Sequence, residues 1–348
     1  MVDFPSTLPP ARIAAPLRGG PVLRWGILAP GDIAKDFVRA VHTHTDQRVI
    51  AVAGRSPERT LAFAQRHGIA RAHADHQQLV DDPAIDIVYV ASPHSEHKRL
   101  ALLAIAAGKH VLVEKPLSMT AADACEIRDA AAAAGVFAME GMWTRYLPQT
   151  DVMLRLRDDG VLGDPRVVLA DFGTRGSSDP EGRIYNPALG GGSLLDLGIY
   201  PLWFSHLWLG EPNSVTAIGS LTETGVDQQT AIVLGYQTNA QAVLSTNLLS
   251  FTPARASVNG THARIEVNPW FVVPAGFDLV APGKGDVRLS FVNDTGLEFR
   301  DGIAWEAAAV AQHIADGLID SPLHPLAFSI EVMRTMDDVR RQMGTLAP

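Results

Sequence analysis

The order of apolar and polar positions divides the chain into two parts with different rhythms. Up to about residue 141, short apolar runs alternate with amphipathic stretches of roughly 10–15 residues. Runs such as 48–53 and 85–91 are apolar almost throughout, which is typical of strands buried on both faces of a parallel sheet. Strands that alternate with helices in this way predict an α/β domain with a doubly wound, Rossmann-type parallel sheet over residues 22–141.

The rhythm changes after residue 141. Helical patterns cover 147–159 and 193–208, and a single strand lies between them at 166–172. Short alternating strands then follow at 215–221, 230–236, 241–249, 256–259, 263–267, 277–280 and 287–291, and helical patterns at 305–318 and 326–343 close the chain. Alternation of this kind predicts a large open, mostly antiparallel sheet. We therefore expect a second α/β domain, for substrate binding and oligomerisation, at 142–348, and its last helix could pack on the first domain.

Composition and charge narrow the range of partners. The 348 residues are 47% hydrophobic and carry a net charge of -9, and no Lys/Arg-rich run argues for nucleic acid or an anionic membrane. The one cysteine, Cys125, excludes an internal disulfide, and no Cys/His spacing suggests a metal site. No apolar run reaches membrane-spanning length. The proline-rich segment 1–21 lacks the apolar core of a secretory signal, so we expect a flexible or loosely docked arm. A reducing cytoplasm is the expected location.

Residues 29–34, Ala-Pro-Gly-Asp-Ile-Ala, are the candidate cofactor loop. They follow the first strand and open a helix, where dinucleotide-binding folds bring backbone N–H groups to a pyrophosphate. Only Gly31 keeps a glycine of the usual three-residue fingerprint, so the strand–turn–helix context carries the prediction. The expected cofactor contacts are Ala29, Gly31, Asp32 and Ile33, and the alternative is a purely structural turn.

The end of the second strand bears on the choice of cofactor. NAD-binding proteins usually place an acid here for the ribose hydroxyls, whereas this chain has Arg55 and Ser56, with Arg59 one helical turn further on. A 2′-phosphate suits arginines and a hydroxyl, and a carboxylate would repel it. The sequence therefore favours NADP over NAD, although Arg55 would also pass as an ordinary solvated arginine.

The strand at 110–113 delivers charged residues to the sheet edge. It ends in Glu114-Lys115-Pro116, and ligands of open α/β sheets bind just past the carboxyl ends of such strands. Lys115 is therefore a candidate active-site cation. A surface lysine on a loop is the simpler alternative.

A second motif lies at 190–200, where three glycines precede Ser193. Serine is a good N-cap, and a helix that begins there places Asp196 and Tyr200 four residues apart on one face. A carboxylate and a phenol on an otherwise apolar helix need partners if they are buried. From this stretch alone, a functional pair and a structural hydrogen-bonded pair remain equally open.

Together these motifs resemble the Gfo/Idh/MocA oxidoreductases, and within that family the branch of dimeric trans-1,2-dihydrodiol dehydrogenases and NADP-dependent D-xylose dehydrogenases. The resemblance covers about residues 22–343 and is carried by the spans 24–28, 31–34, 107–116, 142–145, 190–200 and 223–227. It implies a Rossmann domain followed by a domain whose open sheet faces the active site on one side. It also implies a homo-oligomer, a dimer or tetramer, formed through the other side of that sheet.

The resemblance further implies roles for individual residues. Lys115 and Tyr200 would lie at the reacting carbon with Asp196 beside them, and the Lys115–Pro116 bond would be cis. His94 would lie next to the nicotinamide ribose, and His97 would cap the helix that follows. The implied cofactor contacts in this part of the chain are Ser92, His94, His97, Glu114 and Lys115, and the implied substrate contacts are Trp143, Arg145, Phe172, Asp196, Tyr200 and, where the alignment is loose, Trp270.

The implied reaction is hydride transfer between the nicotinamide of NADP and a hydroxyl-bearing carbon of a sugar or cyclic diol, such as a pyranose or dihydrodiol. Tyr200 would take the hydroxyl proton, and the Lys115 cation would bring the phenol pKa down from its usual value of about 10. Lys115 could itself be the proton acceptor. The alternatives are an NADPH-dependent keto-sugar or nucleotide-sugar reductase and a non-catalytic NADP-binding regulatory protein.

Overall fold

The computed structural model describes residues 4–176, 179–283 and 287–346. The chain divides into two compact units. The first, here called the Rossmann unit, comprises Ile13–Tyr146 and Glu298–Ile330. The second, here called the sheet unit, comprises the described residues within Met1–Arg12, Leu147–Leu297 and Glu331–Pro348. Residues 298–330 therefore group with the N-terminal part of the chain.

The first part of the chain forms a six-stranded sheet and five helices. In chain order these elements are β1 Arg24–Leu28, α1 Asp32–His44, β2 Arg48–Ala53, α2 Pro57–His67, β3 Arg71–His73, α3 His76–Val80, β4 Ile87–Val90, α4 His97–Ala106, β5 His110–Glu114, α5 Ala121–Ala134 and β6 Ala138–Gly141. All pairings are parallel, in the order β3-β2-β1-β4-β5-β6. This is the strand order of a dinucleotide-binding Rossmann fold, so the predicted fold of this part is confirmed.

The remaining elements form the sheet unit and complete the Rossmann unit. They are α6 Pro148–Asp158, β7 Pro165–Gly173, α7 Ile199–Leu209, β8 Ser214–Leu221, β9 Asp227–Gly235, β10 Gln241–Asn247, β11 Ala256–Gly260, β12 Arg264–Val267, β13 Phe277–Ala281, β14 Val287–Phe291, α8 Ile303–Ala315 and α9 Leu326–Gln342. Helix α8 packs against α1. Among the helices of the described ranges, none is long and apolar enough to cross a membrane.

Local sequence explains why the helices of the Rossmann unit begin and end where they do. Ser56 and Thr120 cap α2 and α5 by accepting hydrogen bonds from backbone N–H groups in the first turn. Gly68 and Gly135 end the same two helices in the left-handed conformation that favours glycine. Strands β4 and β6 are buried at every position. The apolar run of β4 predicts this burial, whereas β6 also buries Glu140. Strand β3 escapes prediction because it has only three residues, none of them buried.

The eight strands of the sheet unit are ordered β14-β13-β12-β11-β7-β10-β9-β8. Only β7 and β10 pair in parallel, and the other pairings are antiparallel, which confirms the predicted mostly antiparallel sheet. Alternate residues of β7, β9 and β10 are buried on the side that α7 covers. The opposite side, here called the open face, exposes the apolar side chains of Val167, Leu169, Ile218, Val233 and Val243.

The described part of the N-terminal arm contacts side chains of the unit to which each of its residues belongs. In the sheet unit, the backbone N–H of Arg12 donates to Asp151 Oδ2 over 2.6 Å, and Arg155 donates to the carbonyl oxygen of Pro10. In the Rossmann unit, Arg18 pairs with Asp46 at 3.2 Å. The arm therefore has specific contacts at residues 10–18, although its proline-rich composition predicts a flexible segment.

Candidate active site

The predicted cofactor loop is a tight turn between β1 and α1. Ala29 has a φ of 70°, in the left-handed region that favours glycine, and its N–H donates to the carbonyl oxygen of Ala53 over 2.9 Å. A Cβ built on Gly31 would meet no heavy atom within 4 Å, so the middle of the loop faces open space. Helix α1 begins at Asp32 without a side-chain cap, which leaves N–H groups of its first turn for a ligand. The loop therefore fits a diphosphate.

The residues after β2 divide into a helix cap and two exposed cations. The hydroxyl oxygen of Ser56 accepts from the N–H of Arg59 over 3.4 Å and so caps α2. The guanidinium groups of Arg55 and Arg59 are exposed, and within the described ranges neither forms an ion pair or a hydrogen bond. Arg59 lines a pocket together with Gly31 and Asp32. Among the residues predicted to bind a 2′-phosphate, Arg59 therefore shares a pocket with the loop.

Lys115 follows β5 at the carboxyl edge of the parallel sheet, where it is half-buried. The Lys115–Pro116 bond is cis, as the resemblance implies. Glu114 Oε2 accepts from the backbone N–H of Lys115 over 3.2 Å, and Glu114 Oε1 accepts from the hydroxyl of Tyr89. Burial raises the pKa of the Glu114 carboxyl. In this geometry Glu114 turns inward and holds the backbone of Lys115.

His97 joins the loops that follow β4 and β5. Its ring is fully buried, with Nδ1 2.8 Å from the carbonyl oxygen of Pro116 and Nε2 3.0 Å from that of Ser92. Burial lowers the pKa of His97 to about 4, against the effect of the two carbonyl oxygens, which raise it. The expectation that His97 caps the next helix is wrong, because α4 begins at His97 itself and Glu96 occupies the N-cap position without a side-chain bond. The ring instead fixes the spacing of two loops.

Four other residues predicted in this unit lie near the same edge. Ser92 and His94 follow β4, are almost fully buried, and the His94 ring meets the His97 ring edge-on at 5.5 Å. Trp143 and Arg145 lie in a 3₁₀ turn just after β6. Trp143 is buried, and Arg145 Nε donates to the carbonyl oxygen of Leu323 over 2.8 Å.

Two buried acids, Glu140 and Glu306, lie near the loop that follows β5 and carries Lys115. Glu140, at the end of β6, accepts from the backbone N–H of Leu117 over 2.8 Å and lies 3.0 Å from His324 Nε2. Burial alone would raise the pKa of Glu140, but its hydrogen bonds lower it overall. Glu306 on α8 is only 1% exposed and forms no hydrogen bond within the described ranges. Burial, and then the charges of Glu114 and Glu140, raise the pKa of Glu306 well above its usual range.

Glu306→Gln is expected to stabilise the protein most at alkaline pH. Because the native-state pKa of Glu306 is raised, the wild-type free energy of unfolding should fall as pH rises from about 4.3 through the raised pKa. The neutral amide has no such cost, so the variant should gain about 1.4 kcal/mol for each unit by which that pKa is raised. Urea unfolding at pH 5 and pH 8 measures the difference, and parallel pH profiles for the two proteins would contradict it.

In the sheet unit, the triple glycine leads into a buried acid that the sequence reasoning did not single out. Asp227 Oδ2, from β9, accepts from Ser193 Oγ over 2.6 Å and from the N–H of Leu194 over 2.7 Å. Ser193 occupies the predicted N-cap position, but its side chain forms no capping bond, because its backbone is already helical and its hydroxyl donates to Asp227. Gly192 has a φ of 115°, and a Cβ there would lie 2.2 Å from Asp227 Oδ1. Position 192 therefore requires glycine, because any side chain there would collide with Asp227.

Asp196 lies in a π-helical turn, Leu194–Gly198, immediately before α7. Such turns are rare and occur often at functional sites. Asp196 Oδ1 accepts from Arg183 Nη1 over 2.9 Å, and its side chain is 13% exposed against 43% for Arg183. Arg183 comes from a loop without secondary-structure periodicity, so no sequence pattern marked it as the partner of Asp196.

Three aromatic residues predicted to bind substrate come together in the sheet unit. The ring of Phe172, at the end of β7, lies 5.7 Å from that of Tyr200 and 5.9 Å from that of Trp270. Trp270 meets Phe172 edge-on and is 42% exposed. Tyr200 is buried in the first turn of α7, four residues after Asp196. An acid and an aromatic wall of this kind suit a ring that carries hydroxyl groups. Within the described ranges, no group of three or more His, Cys, Asp or Glu side chains could hold a metal ion.

Two family models match the chain. The model described as "Oxidoreductase family, NAD-binding Rossmann fold" (GFO_IDH_MocA) matches residues 23–142, and the model described as "GFO/IDH/MocA C-terminal domain" matches residues 152–266. A trans-1,2-dihydrobenzene-1,2-diol dehydrogenase from Xenopus tropicalis is 36% identical over 338 residues, which cover 93% of this chain and 99% of the relative.

Solved structures give the same picture. The aldose-aldose oxidoreductase from Caulobacter crescentus, complexed with glycerol, is 26% identical with a TM-score of 0.80, covering 92% of this chain and 97% of its own. A 3-ketoreductase from Actinomadura kijaniata in complex with NADP and TDP-benzene is 25% identical with a TM-score of 0.78, covering 94% and 98%. The similarity therefore extends over nearly the whole of each protein.

Proposed function

This chain belongs to the Gfo/Idh/MocA family of oxidoreductases and is an NAD(P)-dependent dehydrogenase acting on CH–OH groups, and on that premise we propose that it oxidises a hydroxyl-bearing carbon of a sugar or cyclic diol with NADP. The observation that carries the proposal is the aromatic wall of Phe172, Tyr200 and Trp270, together with the Arg183–Asp196 pair in the turn that precedes Tyr200. Flat apolar rings match the C–H faces of a pyranose or dihydrodiol, and the carboxylate accepts from its hydroxyl groups.

The proposed chemistry assigns proton transfer to Lys115 and Tyr200. A nicotinamide cofactor, when bound, supplies the hydride acceptor. Tyr200 takes the proton from the substrate hydroxyl as the C–H bond breaks, and the Lys115 ammonium stabilises the resulting phenolate. Asp196 accepts from a second substrate hydroxyl and so orients the ring. Lys115 and Tyr200 lie in different units, so their joint action is the part of the proposal that variants must test.

The choice of NADP over NAD rests on the residues after β2 and on the loop. Arg55 and Arg59 lie where NAD-binding relatives of this fold carry an acid, and Ser56 caps α2 between them. The exposed guanidinium groups favour a 2′-phosphate. The expected contacts at Ala29, Gly31, Asp32 and Ile33 belong to the diphosphate, and those at Ser92, His94 and Lys115 belong to the nicotinamide end of the cofactor. His97 and Glu114 are buried and engaged by protein atoms, so we assign them to the support of the Ser92 and Lys115 loops and not to cofactor contact.

A second candidate function is the reverse reaction, in which an NADPH-dependent reductase acts on a keto-sugar or nucleotide-sugar. The similarity to a 3-ketoreductase seen with NADP and TDP-benzene favours it. A non-catalytic regulatory protein is disfavoured, because it would have no need for Lys115, Asp196 and Tyr200 together.

A screen of pyranoses, cyclitols and dihydrodiols, followed by the absorbance of NADPH, tests the proposed substrate class. We expect NADP reduction with at least one ring-shaped polyol and none with short acyclic alcohols, which cannot cover the aromatic wall. Reaction only in the direction of NADPH consumption, with keto-sugars, would favour the second candidate. Activity confined to acyclic substrates would contradict both.

We propose a homo-oligomer through the open face of the sheet unit. Leu169, Val243 and Val233 are paired across neighbouring strands β7, β10 and β9 and are each close to half exposed. A contiguous apolar patch of this kind marks a protein-binding surface, and the resemblance implies that a second copy covers it. Further exposed apolar side chains, Val167 and Ile218, extend the patch.

Val243→Lys is expected to convert the oligomer to a monomer, because the charge would be buried without a partner at the centre of the interface. Analytical ultracentrifugation measures the change in mass. Val287→Lys is the matched control, since Val287 is 58% exposed on the edge strand β14 of the same sheet. A wild-type monomer at micromolar concentration, or an unchanged mass for Val243→Lys, would contradict the interface.

A further inference from the structure

A pocket of about 360 Å³ opens between α1 and α2, directly beside the cofactor loop. Three of its lining residues, Gly31, Asp32 and Arg59, are cofactor contacts that the sequence predicts. Two further cations, Lys35 on α1 and Arg66 on α2, line the same pocket and follow from no sequence motif. The pocket therefore runs from the cofactor loop to a surface that carries three cations, Lys35, Arg59 and Arg66. Arg55 is not among the residues that line the pocket.

The face that α2 turns toward the pocket has an unusual composition. Arg59, Phe63 and Arg66 are spaced at i, i+4 and i+7, which is the spacing of a helix face that packs on a core. Here the two arginines are exposed on either side of the half-buried Phe63, whose ring lies 4.5 Å from that of His67. Because this face supplies pocket walls instead of core, its cations are available to a ligand.

The charges around the pocket are unbalanced. Within the described ranges, the guanidinium groups of Arg59 and Arg66 form no ion pair and no hydrogen bond. Lys35 Nζ lies 3.4 Å from Asp32 Oδ1, but the Asp32 side chain is 93% exposed, so this pair is weak. Burial, and then the charges of Arg66 and Lys35, lower the pKa of His67, so its ring adds no charge. Three permanent cations face one carboxylate.

We propose that Lys35 and Arg66, together with Arg59, bind the 2′-phosphate of NADP in this pocket, an inference that rests on the proposed function. A phosphate monoester carries a charge of about -1.5 to -2 at neutral pH, which balances the excess of cations. Its oxygens accept charge-assisted hydrogen bonds from ammonium and guanidinium groups. NADH has hydroxyls only and would gain nothing from Lys35 or Arg66, so these two residues add to the preference for NADP that Arg55 and Arg59 give.

The test measures dissociation constants for NADPH and NADH by fluorescence titration of the full-length protein. Lys35→Gln and Arg66→Gln are each expected to weaken NADPH binding about tenfold and NADH binding less than about twofold. Lys35→Arg should keep most of the preference. Arg128→Gln removes the same charge from an exposed site on α5, and it should leave both constants unchanged. The fragments 2′,5′-ADP and 5′-AMP lack the nicotinamide. The variants should weaken binding of 2′,5′-ADP as they do that of NADPH, and should leave binding of 5′-AMP nearly unchanged, as for NADH.

The possible outcomes separate this inference from the proposed function. If the wild type prefers NADPH but Lys35→Gln and Arg66→Gln keep the full preference, the pocket assignment is wrong and NADP dependence stands. If the wild type binds NADH as tightly as NADPH, both fail. The last experiment adds inorganic phosphate. If phosphate competes with NADPH, the two share one site and the proposal is supported. If phosphate stabilises the protein further when NADPH is already bound, the pocket binds free phosphate and the proposal is overturned.

Discussion

Lys115→Met and Tyr200→Phe are each expected to lower kcat by about 10²- to 10⁴-fold, which is the range for loss of a proton-transfer group. Methionine keeps the unbranched stem of the lysine and removes its charge. Phenylalanine keeps the ring that contacts Phe172 and removes only the hydroxyl. NADPH binding should persist in Tyr200→Phe, because Tyr200 belongs to the sheet unit and the cofactor loop to the Rossmann unit.

The double variant tests whether the two residues serve one step. If Lys115 and Tyr200 act on the same proton, the double variant should lose little more activity than the worse single variant, because effects within one catalytic group are not additive. If they act independently, the two losses should multiply. Single-turnover measurements of NADPH formation at saturating substrate give the numbers directly.

The pH dependence of kcat identifies the proton acceptor. If Tyr200 is the base, Tyr200→Phe should lose the rise of kcat with pH, while Lys115→Met should move that rise toward the ordinary phenol pKa of about 10. If Lys115 is the base, the rise should vanish in Lys115→Met instead.

Two matched variants control for loss of a hydroxyl or a charge as such. Tyr236→Phe removes a buried hydroxyl that bonds to Ser205, and Lys98→Met removes a lysine that pairs with Asp123 and Glu126. Both should keep kcat close to wild type. A Lys115→Met or Tyr200→Phe protein that folds and keeps more than a tenth of the wild-type kcat would remove that residue from the mechanism.

The periodicity of apolar residues alone predicts most of this fold, because burying a core requires apolar side chains at those intervals. Strand β2 occupies 48–53 as the apolar run predicts, and α9 begins at Leu326 as the helical pattern at 326–343 predicts. The conformation of Ala29 could not be predicted from its residue type. Its left-handed backbone occupies a place that the fingerprint gives to glycine, and only the strand and helix on either side identify the turn.

The site is harder to predict because its partners come from distant parts of the chain. Ser193 looks like an N-cap from its neighbours, but Asp227, 34 residues later, provides the acceptor at 2.6 Å. Arg183 pairs with Asp196 from a loop without periodicity. His97 forms two buried contacts with carbonyl oxygens that only the folded sheet brings within reach. Such pairings depend on tertiary structure, which spacing along the chain does not encode.

Asp227→Ala is expected to have the largest effect on the stability of the sheet unit. The substitution would leave the Ser193 hydroxyl and the Leu194 N–H buried without an acceptor, and each such donor costs about 1–3 kcal/mol. We therefore expect the free energy of unfolding to fall by about 3–5 kcal/mol, measured by urea denaturation. The two donors lie at the start of the π-helical turn that carries Asp196. The substitution should therefore also shift Asp196, and a shift of about 1 Å should lower kcat about 10²-fold.

Asp227→Asn separates hydrogen bonding from charge. Both bonds end on Oδ2, so an amide oxygen in that place can accept both of them, and the expected loss is only about 1 kcal/mol. Ser193→Ala removes one donor together with its need for an acceptor, and it should cost no more than Asp227→Asn. Gly192→Ala should act like Asp227→Ala, because its Cβ would displace the same carboxylate. Equal losses in Asp227→Ala and Asp227→Asn would show that charge, not the two hydrogen bonds, holds the turn, and would contradict the role assigned to Asp227.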